Sequence, residues 1–410
     1  IERNDIRTIV IDRENAKSYR TQNRPYIDLK KFAAEFAKAK NIELLIGDMM
    51  LSVDTVYKVR TDLYTEFSMM KMRLLSPATN VLIDMKRKRG EHEEHFHILS
   101  PELEELIIKN KEDNERLFIF SGRKGLAPST VCGDCGQIVV CERCVSPVTL
   151  YTKKNEENFF LCNKCGLERD ALVRCKNCDS WRLQTLGIGI ETVEEYIRKK
   201  FPDITVFRMD KESVKTEKKA LEIMQRFENT PGSILVGTEL ATFYLQKSIE
   251  NIAVASIDTL FSIPDFRINE KICYLLLTMR SKADKTFLIQ TRNASAPVFD
   301  FALKGNLADF FRGEIEERKQ FYYPPFSLFI KLSVEGKGIS AKKAAEDVAQ
   351  FLEEFEPAIY PAFSPSSRGN SIYHVLITKN PKEWPQKELV EKLRLLPPQI
   401  LVKVEPDTLL

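Results

Sequence analysis

The chain has 410 residues, of which 43% are hydrophobic and 30% are charged, and its formal net charge is +3. This length allows two to four domains with cores of ordinary size, and no apolar run is long enough to span a bilayer. The balance of 62 basic and 59 acidic residues excludes a protein that binds nucleic acid through overall basicity alone.

The N-terminal part alternates between strands and a helix, which predicts an α/β unit with a parallel sheet. Its predicted elements are a strand (Thr8–Ile11), a helix (Leu29–Ala39), a strand (Ile42–Gly47) and a strand (Asn80–Asp84). The charged stretch 86–97 is predicted to be a linker, and its histidines His92, His95 and His97 are more readily explained as solvated than as metal ligands. We assign residues 1–99 to a first domain and this linker.

A second α/β segment begins near Ser100. Ser100 is a typical N-cap, and Pro101 fits the first turn of a helix. A strand is predicted at Arg116–Phe120, and the glycine-rich basic turn 121–125 that follows it is either a phosphate cradle or an ordinary tight turn.

Eight of the nine cysteines lie between Val131 and Ser180, in four successive C-x2-C pairs. The pairs are Cys132 and Cys135, Cys141 and Cys144, Cys162 and Cys165, and Cys175 and Cys178. Four thiolates complete the tetrahedral coordination of one Zn²⁺, so the block predicts two structural zinc ions without an open position for catalysis. A disulfide framework fits poorly because the chain opens with no targeting segment, and reduced thiols favour a cytoplasmic protein.

The segment between the second and third pairs predicts which cysteines share an ion. Val148–Thr152 and Phe159–Leu161 have the pattern of a β-hairpin, which brings the second pair beside the third. The first and fourth pairs then face each other, so a nested arrangement is expected. Sequential pairing is the alternative, and the gap of only five residues between the first two pairs disfavours it.

After the cysteine block the alternation of helices and strands resumes. The predicted elements are helices at Thr192–Phe201 and Glu217–Phe227, and strands at Thr205–Met209, Ser233–Gly237, Ile252–Ile257 and Lys285–Gln290. We therefore assign residues 100–131 and 179–300 to a second α/β domain, with residues 132–178 inserted as a double zinc-binding module.

The pattern changes again near Phe310, where a charged helix is followed by Tyr322–Phe326. The predicted elements beyond are strands at Leu328–Val334, Tyr373–Thr378 and Leu401–Val404, and helices at Ala341–Phe355 and Lys387–Leu395. We assign residues 301–410 to a small C-terminal α+β domain.

Six short segments and the cysteine block together point to one family. The segments are Glu191–Glu195, Arg208–Asp210, Ile234–Thr238, Pro264–Arg267, Tyr323–Phe326 and Glu405–Asp407. Over essentially all 410 residues the chain resembles the C-terminal part of the PriA family of bacterial replication-restart helicases. The resemblance implies RecA-like helicase motor domains with parallel sheets, the zinc module inserted in the second. Since it starts near the Walker B strand and the first residue is Ile1, we expect the sequence to begin inside a longer polypeptide.

The motor motifs of that family are altered in this chain. The acidic DEEH box appears as Asp12–Asn15, in which Arg13 replaces the second carboxylate. The GSATPS segment appears as Gly47–Ser52, Glu239–Phe243 replaces a lysine–glycine stretch, and the QVAGRAGR motif has no counterpart at Leu277–Lys282. Because adjacent carboxylates hold Mg²⁺ and an arginine stabilises the transferred phosphoryl group, binding of ATP and Mg²⁺ is doubtful, and we assign no catalytic or nucleotide-binding residue.

The resemblance implies a replication-restart protein that binds forked or single-stranded DNA, primosome proteins and single-stranded-DNA-binding protein. The altered motifs lead us to expect no helicase activity. One alternative is an active ATP-dependent 3′–5′ DNA helicase with a Walker A motif before Ile1. Another is a zinc-ribbon adaptor unrelated to replication, which would stack single strands on exposed aromatic residues beside basic ones. Phe159, Phe160 and Trp181 are candidates for stacking, although packing within the module explains them equally.

Overall fold

The structure is a computed structural model and describes residues 5–21, 26–67, 72–86, 97–122, 129–143, 147–152, 158–162, 167–171, 174–186, 188–263, 265–337, 339–362 and 370–409. The strands are β1 (Thr8–Asp12), β2 (Glu43–Gly47), β3 (Thr79–Asp84), β4 (Leu117–Ser121), β5 (Ser129–Cys132), β6 (Thr149–Thr152), β7 (Asn158–Leu161), β8 (Glu168–Asp170), β9 (Leu183–Leu186), β10 (Val206–Met209), β11 (Ile234–Gly237), β12 (Ile249–Ser256), β13 (Ala283–Thr291), β14 (Leu328–Gly336), β15 (Ala358–Pro361), β16 (Ser371–Lys379) and β17 (Leu401–Val404). The helices are α1 (Leu29–Lys40), α2 (Val53–Arg60), α3 (Pro101–Glu112), α4 (Ile190–Lys200), α5 (Glu217–Glu228), α6 (Glu239–Tyr244), α7 (Ile268–Arg280), α8 (Pro297–Lys304), α9 (Leu307–Gln320), α10 (Ile339–Phe351) and α11 (Lys387–Leu395). Within these ranges, no helix combines the length and the apolarity needed to cross a bilayer.

The chain divides into two compact units, and each is formed by segments that are distant in sequence. One unit consists of Ile1–Met72, Asp265–Glu270 and Leu307–Leu410. The other consists of Arg73–Pro264 and Lys271–Asn306.

The second of these units contains a six-stranded parallel sheet in the order β10-β11-β4-β12-β13-β3. The central strand β4 is buried along its whole length, which is why it reads as an almost uninterrupted apolar run. Helices α3 and α4 pack on the sheet through buried residues such as Leu103, Ile107 and Val193. As expected, α3 begins at Pro101 with Ser100 as its N-cap, whose hydroxyl accepts a 3.2 Å hydrogen bond from the Leu103 amide.

The strand β3 differs from the expected domain division. The sequence places it with residues 1–99, whereas the structure pairs it in parallel with β13, from Thr79 opposite Thr286 to Asp84 opposite Thr291. An edge strand with partly polar composition carries no local signal of its partner, because that partner lies far away in the sequence. The helices α7 and α8 are also not predicted from the sequence, and α7 contains the almost unbroken apolar run 272–277 instead of a clear helical alternation.

The first of these units contains a two-stranded parallel sheet, β1 and β2, connected by α1. The Asp28 side chain caps α1 by accepting hydrogen bonds from the amides of Lys30 and Lys31. Asn41 ends the helix in the left-handed conformation, with φ at 52°. The predicted strand, helix and strand are therefore present in this order.

The same unit contains a four-stranded antiparallel sheet in the order β15-β16-β14-β17. One face packs against α10 and α11 around buried residues that include Ile330, Leu332, Val375 and Leu389. Three of these strands and both helices are predicted from the sequence. The edge strand β15 is not predicted, because its four residues are mostly exposed and end in a proline.

A cluster of charged side chains is buried in this unit around Arg318 of α9, which is 1% exposed. One nitrogen of its guanidinium lies 2.6 Å from a carboxylate oxygen of Glu270 and 3.7 Å from one of Glu314. The second Glu270 oxygen accepts a 2.7 Å hydrogen bond from the Val53 amide at the start of α2. The Arg318–Glu270 pair therefore connects α9 to α2 through ionic and hydrogen-bonded contacts.

Candidate metal centre

Four of the predicted zinc ligands meet at the end of one strand pair. Strands β5 and β9 are antiparallel, with Cys132 opposite Leu183, so the loop after β5 lies beside the loop before β9. The sulfur atoms of the first and fourth C-x2-C pairs all lie within 4.8 Å of one another. The distances from Cys132 to Cys178 and from Cys135 to Cys175 are both 3.5 Å. This is the grouping of outer pairs that the nested arrangement predicts.

The first of these loops is held by two backbone hydrogen bonds. The Cys132 amide donates to the carbonyl of Gln137 at 2.9 Å, and the Gly136 amide donates to the carbonyl of Cys132 at 2.9 Å. Gly136 adopts the left-handed conformation, with φ at +71°. A glycine takes this conformation without the steric cost of a Cβ, so the sequence fits the turn.

The fourth pair repeats the same geometry. The Cys175 amide donates to the carbonyl of Ser180 at 2.8 Å, and the Asp179 amide donates to the carbonyl of Cys175 at 2.8 Å. Asp179, which occupies the position of Gly136, has φ at 60°, a value that Asp adopts more readily than most residues. The two loops therefore present their sulfur pairs with equivalent backbones.

The sulfur geometry fits a tetrahedral metal ion. A zinc–sulfur bond of about 2.3 Å places two ligands of a tetrahedron about 3.8 Å apart, close to the separations observed here. Burial raises the pKa of the Cys175 and Cys178 thiols, and hydrogen bonds from neighbouring sulfur atoms raise it further. A divalent cation would reverse this effect by stabilising the thiolates. The cluster could thus hold a metal ion, and four sulfur donors are consistent with structural zinc.

Two further predicted ligands, Cys141 and Cys162, are buried in one small core with Val148 and Phe160. The hairpin expected between them is present as β6 and β7, with Thr149 opposite Leu161. Cys144 and Cys165 lie outside the described residues, so the second four-cysteine site remains a prediction.

The backbone at Cys141 and Cys162 nevertheless resembles that of the first cluster. The Cys162 amide donates to the carbonyl of Leu167 at 2.9 Å, which is the same five-residue spacing found at Cys132 and Cys175. The Arg143 amide donates to the Cys141 sulfur at 3.4 Å, as the Asn177 amide does to the Cys175 sulfur at 3.4 Å. These amide contacts place both residues in turns suited to thiolate ligands.

The loop of residues 132–137 carries the candidate ligands Cys132 and Cys135 and is called the metal loop. It packs against the edge of the six-stranded sheet at Gly136. A Cβ on Gly136 would lie 3.1 Å from the carbonyl oxygen of Met85 and 3.5 Å from Nε of Arg292. Arg292 is 3% exposed and donates to the carbonyl of His97 at 3.0 Å, while its amide donates to the buried carboxylate of Asp258 at 3.0 Å. The position of the metal loop on the sheet therefore depends on a residue without a side chain.

Replacing Gly136 with alanine is expected to destabilise the metal loop by about 1–2 kcal/mol, because the new Cβ must adopt left-handed backbone geometry beside the Met85 carbonyl. Hydrogen exchange of residues 131–137 measures this loss. The matched control is Gly313→Ala in α9, where a Cβ would meet nothing within 4 Å. Alanine is the better helix former, so this control should leave stability unchanged or raise it by about 0.5–1 kcal/mol. Equal exchange in the two variants would contradict the prediction.

The three candidate stacking residues lie in different environments. Phe160 is fully buried and packs beneath the guanidinium of Arg169, and Phe159 is half-buried and stacks on Tyr151 at 5.6 Å between ring centroids. Trp181 is 76% exposed. Core packing therefore explains Phe160, and Phe159 is partly covered by Tyr151, whereas neither kind of contact explains the exposed tryptophan.

The counterpart of the acidic motor motif has a structural role in this chain. The Glu14 carboxylate is buried and accepts hydrogen bonds from the Ser52 amide (2.9 Å), the Ser52 hydroxyl (2.7 Å) and the Thr55 hydroxyl (2.5 Å). Asn15 donates to Asp48 through its amide and its side chain. The residue between Asp12 and Glu14 is Arg13, which is exposed with φ at 52°. Glu14 therefore connects the loop after β1 to the start of α2.

The segment Leu277–Lys282, where the family has an arginine-rich motif, contains one arginine, and it is buried. Arg280 donates to the carbonyl of Leu74 at 2.9 Å and to the side-chain oxygen of Asn80 at 3.1 Å. Burial lowers the pKa of Arg280. Its guanidinium is thus used to hold residues 74–80 against α7.

Two further predictions from the sequence concern the linker histidines and the glycine-rich turn 121–125. His92 and His95 lie outside the described residues, while the carbonyl of His97 accepts the hydrogen bond from Arg292. The central part of the glycine-rich turn, residues 123–125, also lies outside the described residues. Arg292 and Asp258, which help to position the metal loop, carry no sequence signal that would have identified them.

No family model matches this chain. It is 26% identical over 386 residues to the replication restart protein PriA of Borreliella burgdorferi, covering 90% of this chain and 57% of that protein. The PriA proteins of Haemophilus influenzae and Bacillus subtilis are 25% and 26% identical, covering 84% and 94% of this chain and 47% and 49% of their own lengths.

The chain spans about half the length of the curated relatives it matches. The similarity extends over both compact units and includes the cysteine block. The chain is therefore a PriA-like protein that corresponds to the C-terminal portion of these relatives.

Proposed function

We propose that the chain acts in replication restart as a DNA- and primosome-binding protein that does not unwind DNA itself. Its six-stranded and two-stranded parallel sheets belong to RecA-like motor domains, and residues 132–178 form a double zinc module within the second. Forked or single-stranded DNA, primosome proteins and single-stranded-DNA-binding protein are its partners, and the cytoplasm is its compartment. The relatives named replication restart protein PriA support the part of this proposal that concerns replication restart.

The main support for this proposal is that the cysteine loops keep their ligands while the motor motifs are altered. All eight cysteines are retained, and the two loops around Cys132 and Cys175 share one backbone geometry. In the segments where the family has its motor motifs, the side chains make structural contacts: the Glu14 carboxylate accepts three hydrogen bonds from Ser52 and Thr55, and Arg280 donates to Leu74 and Asn80. A buried carboxylate that accepts three hydrogen bonds has about one acceptor position left, so it is poorly placed to orient both water and Mg²⁺.

Two zinc ions are part of this proposal. Cys132, Cys135, Cys175 and Cys178 hold one ion, and Cys141, Cys144, Cys162 and Cys165 hold the other. Neither ion acts in catalysis, because four thiolates leave no coordination position for water or substrate. Their contribution is a rigid module inserted between β4 and α4.

ATP hydrolysis by the zinc-loaded protein, with and without forked DNA, tests the proposal. We expect tight binding of forked DNA, measured by fluorescence anisotropy, and no DNA-stimulated release of phosphate. Loss of a transition-state arginine alone lowers the rate of related phosphoryl-transfer enzymes by about 10³–10⁵. DNA-stimulated turnover that disappears in Asp12→Ala would contradict the proposal and favour an active helicase. Absence of any DNA binding would favour the adaptor unrelated to replication.

A further inference from the structure

Trp181, which follows the fourth C-x2-C pair, is the candidate stacking residue that packing does not explain. It lies between the fourth C-x2-C pair and β9, and its side chain is 76% exposed. An indole has a large apolar surface, so leaving most of it in water forgoes a stabilising burial. Exposed tryptophans therefore commonly mark contact surfaces.

The backbone around Trp181 is fixed by both metal loops. The carbonyl of Ser180 accepts the 2.8 Å hydrogen bond from Cys175, and the carbonyl of Arg182 accepts a 2.7 Å hydrogen bond from the Gly133 amide. The carbonyl of Trp181 itself accepts from the Leu183 amide at 2.9 Å. The indole is thus carried on a segment that is bonded on each side to a loop of the sulfur cluster, which reduces the entropy lost when a ligand binds.

Basic side chains accompany the indole on the same surface loop. Residues 174–182 contain Arg174, Lys176 and Arg182 and a single acidic residue, Asp179. The three basic side chains are 65–75% exposed. Their ion pairs with Asp179, Glu142 and Asp134 are solvent-exposed, and such pairs contribute little stability and exchange readily for other anions.

We propose that Trp181 is a stacking platform for an unpaired base of single-stranded DNA, with Arg174, Lys176 and Arg182 placed to contact the neighbouring phosphates. An exposed aromatic face combined with exposed cationic groups is the combination that binds single strands without regard to sequence. A protein partner is the other possible occupant, and the excess of basic over acidic residues in this loop favours the nucleic acid. The inference rests on the proposed DNA-binding function and assigns a residue to it.

The chain contains only two tryptophans, which makes the test direct. Trp384, the second one, packs against the core of the antiparallel sheet. In the Trp384→Phe variant of the zinc-loaded chain, the tryptophan fluorescence emission therefore comes from Trp181 alone. We expect an oligothymidylate of about 12 nucleotides to quench this emission, whereas a blunt duplex with stacked bases quenches it little. In the reciprocal variant Trp181→Phe, the same oligonucleotide should leave the emission of Trp384 unchanged.

Binding affinity provides the second readout. Trp181→Ala should weaken oligothymidylate binding by about 5- to 150-fold, the range expected for loss of one stacked base. Trp181→Phe, which keeps an aromatic ring, should lose less, and both variants should retain the zinc content of the parent chain. Unchanged affinity in Trp181→Ala would overturn the inference and assign the indole to a protein contact. Binding of forked DNA without quenching of the Trp181 emission would overturn the stacking role of Trp181 and leave the proposed function intact. Absence of all DNA binding would overturn both the stacking role and the proposed function.

Discussion

Removing zinc from the Cys132, Cys135, Cys175 and Cys178 cluster is expected to unfold the two loops that carry these residues, together with β9. The buried or half-buried side chains around the sulfur atoms are these cysteines and Leu183, whereas Val131 of β5 and Ile138 pack into the core of the six-stranded sheet. A structural zinc ion contributes on the order of 10 kcal/mol to the folding of such a module. Chelation should therefore abolish hydrogen-exchange protection in β9 and at the loop amides of Cys132, Gly136 and Cys175, while the buried strand β4 keeps its protection.

Cysteine variants give this prediction a stoichiometric form. If both sites hold zinc, the chain binds two ions, and Cys175→Ser and Cys141→Ser should each lose one of them. Cys273→Ser is the matched control, because Cys273 is also fully buried but lies in α7, outside the cysteine block. It should keep both ions. A Cys175→Ser protein with an undiminished zinc content would contradict zinc binding by Cys132, Cys135, Cys175 and Cys178.

Replacing Arg318 with methionine is expected to cost about 3–5 kcal/mol, because it leaves buried carboxylates without their cation. Arg318 is 1% exposed and pairs with Glu270 at 2.6 Å. Unfolding in urea, followed by hydrogen exchange in α9, measures the loss. Arg312→Met in the same helix is the control: its side chain is 75% exposed and pairs with Asp309 at 2.9 Å, so we expect a change below about 1 kcal/mol. Similar losses in the two variants would show that burial does not matter here.

The cost of Arg318→Met should also depend on pH. Burial raises the pKa of Glu314 from its ordinary value of 4.5 to about 7, while the charge of Arg318 opposes this rise. The folded protein therefore holds this proton more tightly than the unfolded chain, and the contribution of Glu314 to stability falls as pH rises from about 4.5 to about 7. Without Arg318 the ionised carboxylates are still less favourable. The loss should accordingly be larger at about pH 8 than at about pH 5, and adding Glu314→Gln should reduce that difference.

Features that depend on neighbouring residues could be predicted from the sequence. The C-x2-C spacing and the glycine after Cys135 describe a turn that closes within six residues, so the pattern is local. The same holds for Ser100, whose hydroxyl caps a helix that begins one residue later. The β6–β7 hairpin follows from two short apolar runs joined by a polar segment. For such elements the pattern of the residues and their interactions lie within one short window.

Features that depend on distant partners could not be predicted in this way. The pairing of β3 with β13 joins segments far apart in the chain, and β15 becomes a strand because β16 offers it hydrogen bonds. The altered motor motifs are visible in the sequence, but the burial of Glu14 under Ser52 and Thr55 is not. The role of Arg280 also depends on carbonyl groups about two hundred positions away in sequence.

The sequence by itself determined the eight-cysteine block, the α/β alternation around it and the similarity to the PriA family, because each of these is written in local spacing and composition. Only the tertiary structure decided which aromatic side chains are buried in the core and which remain exposed to solvent. Phe160 and Trp181 are both large aromatic residues near the cysteine pairs, yet one is fully buried and the other is 76% exposed. Burial is set by what packs on a residue from elsewhere in the fold, and that information is absent from the residue and its neighbours.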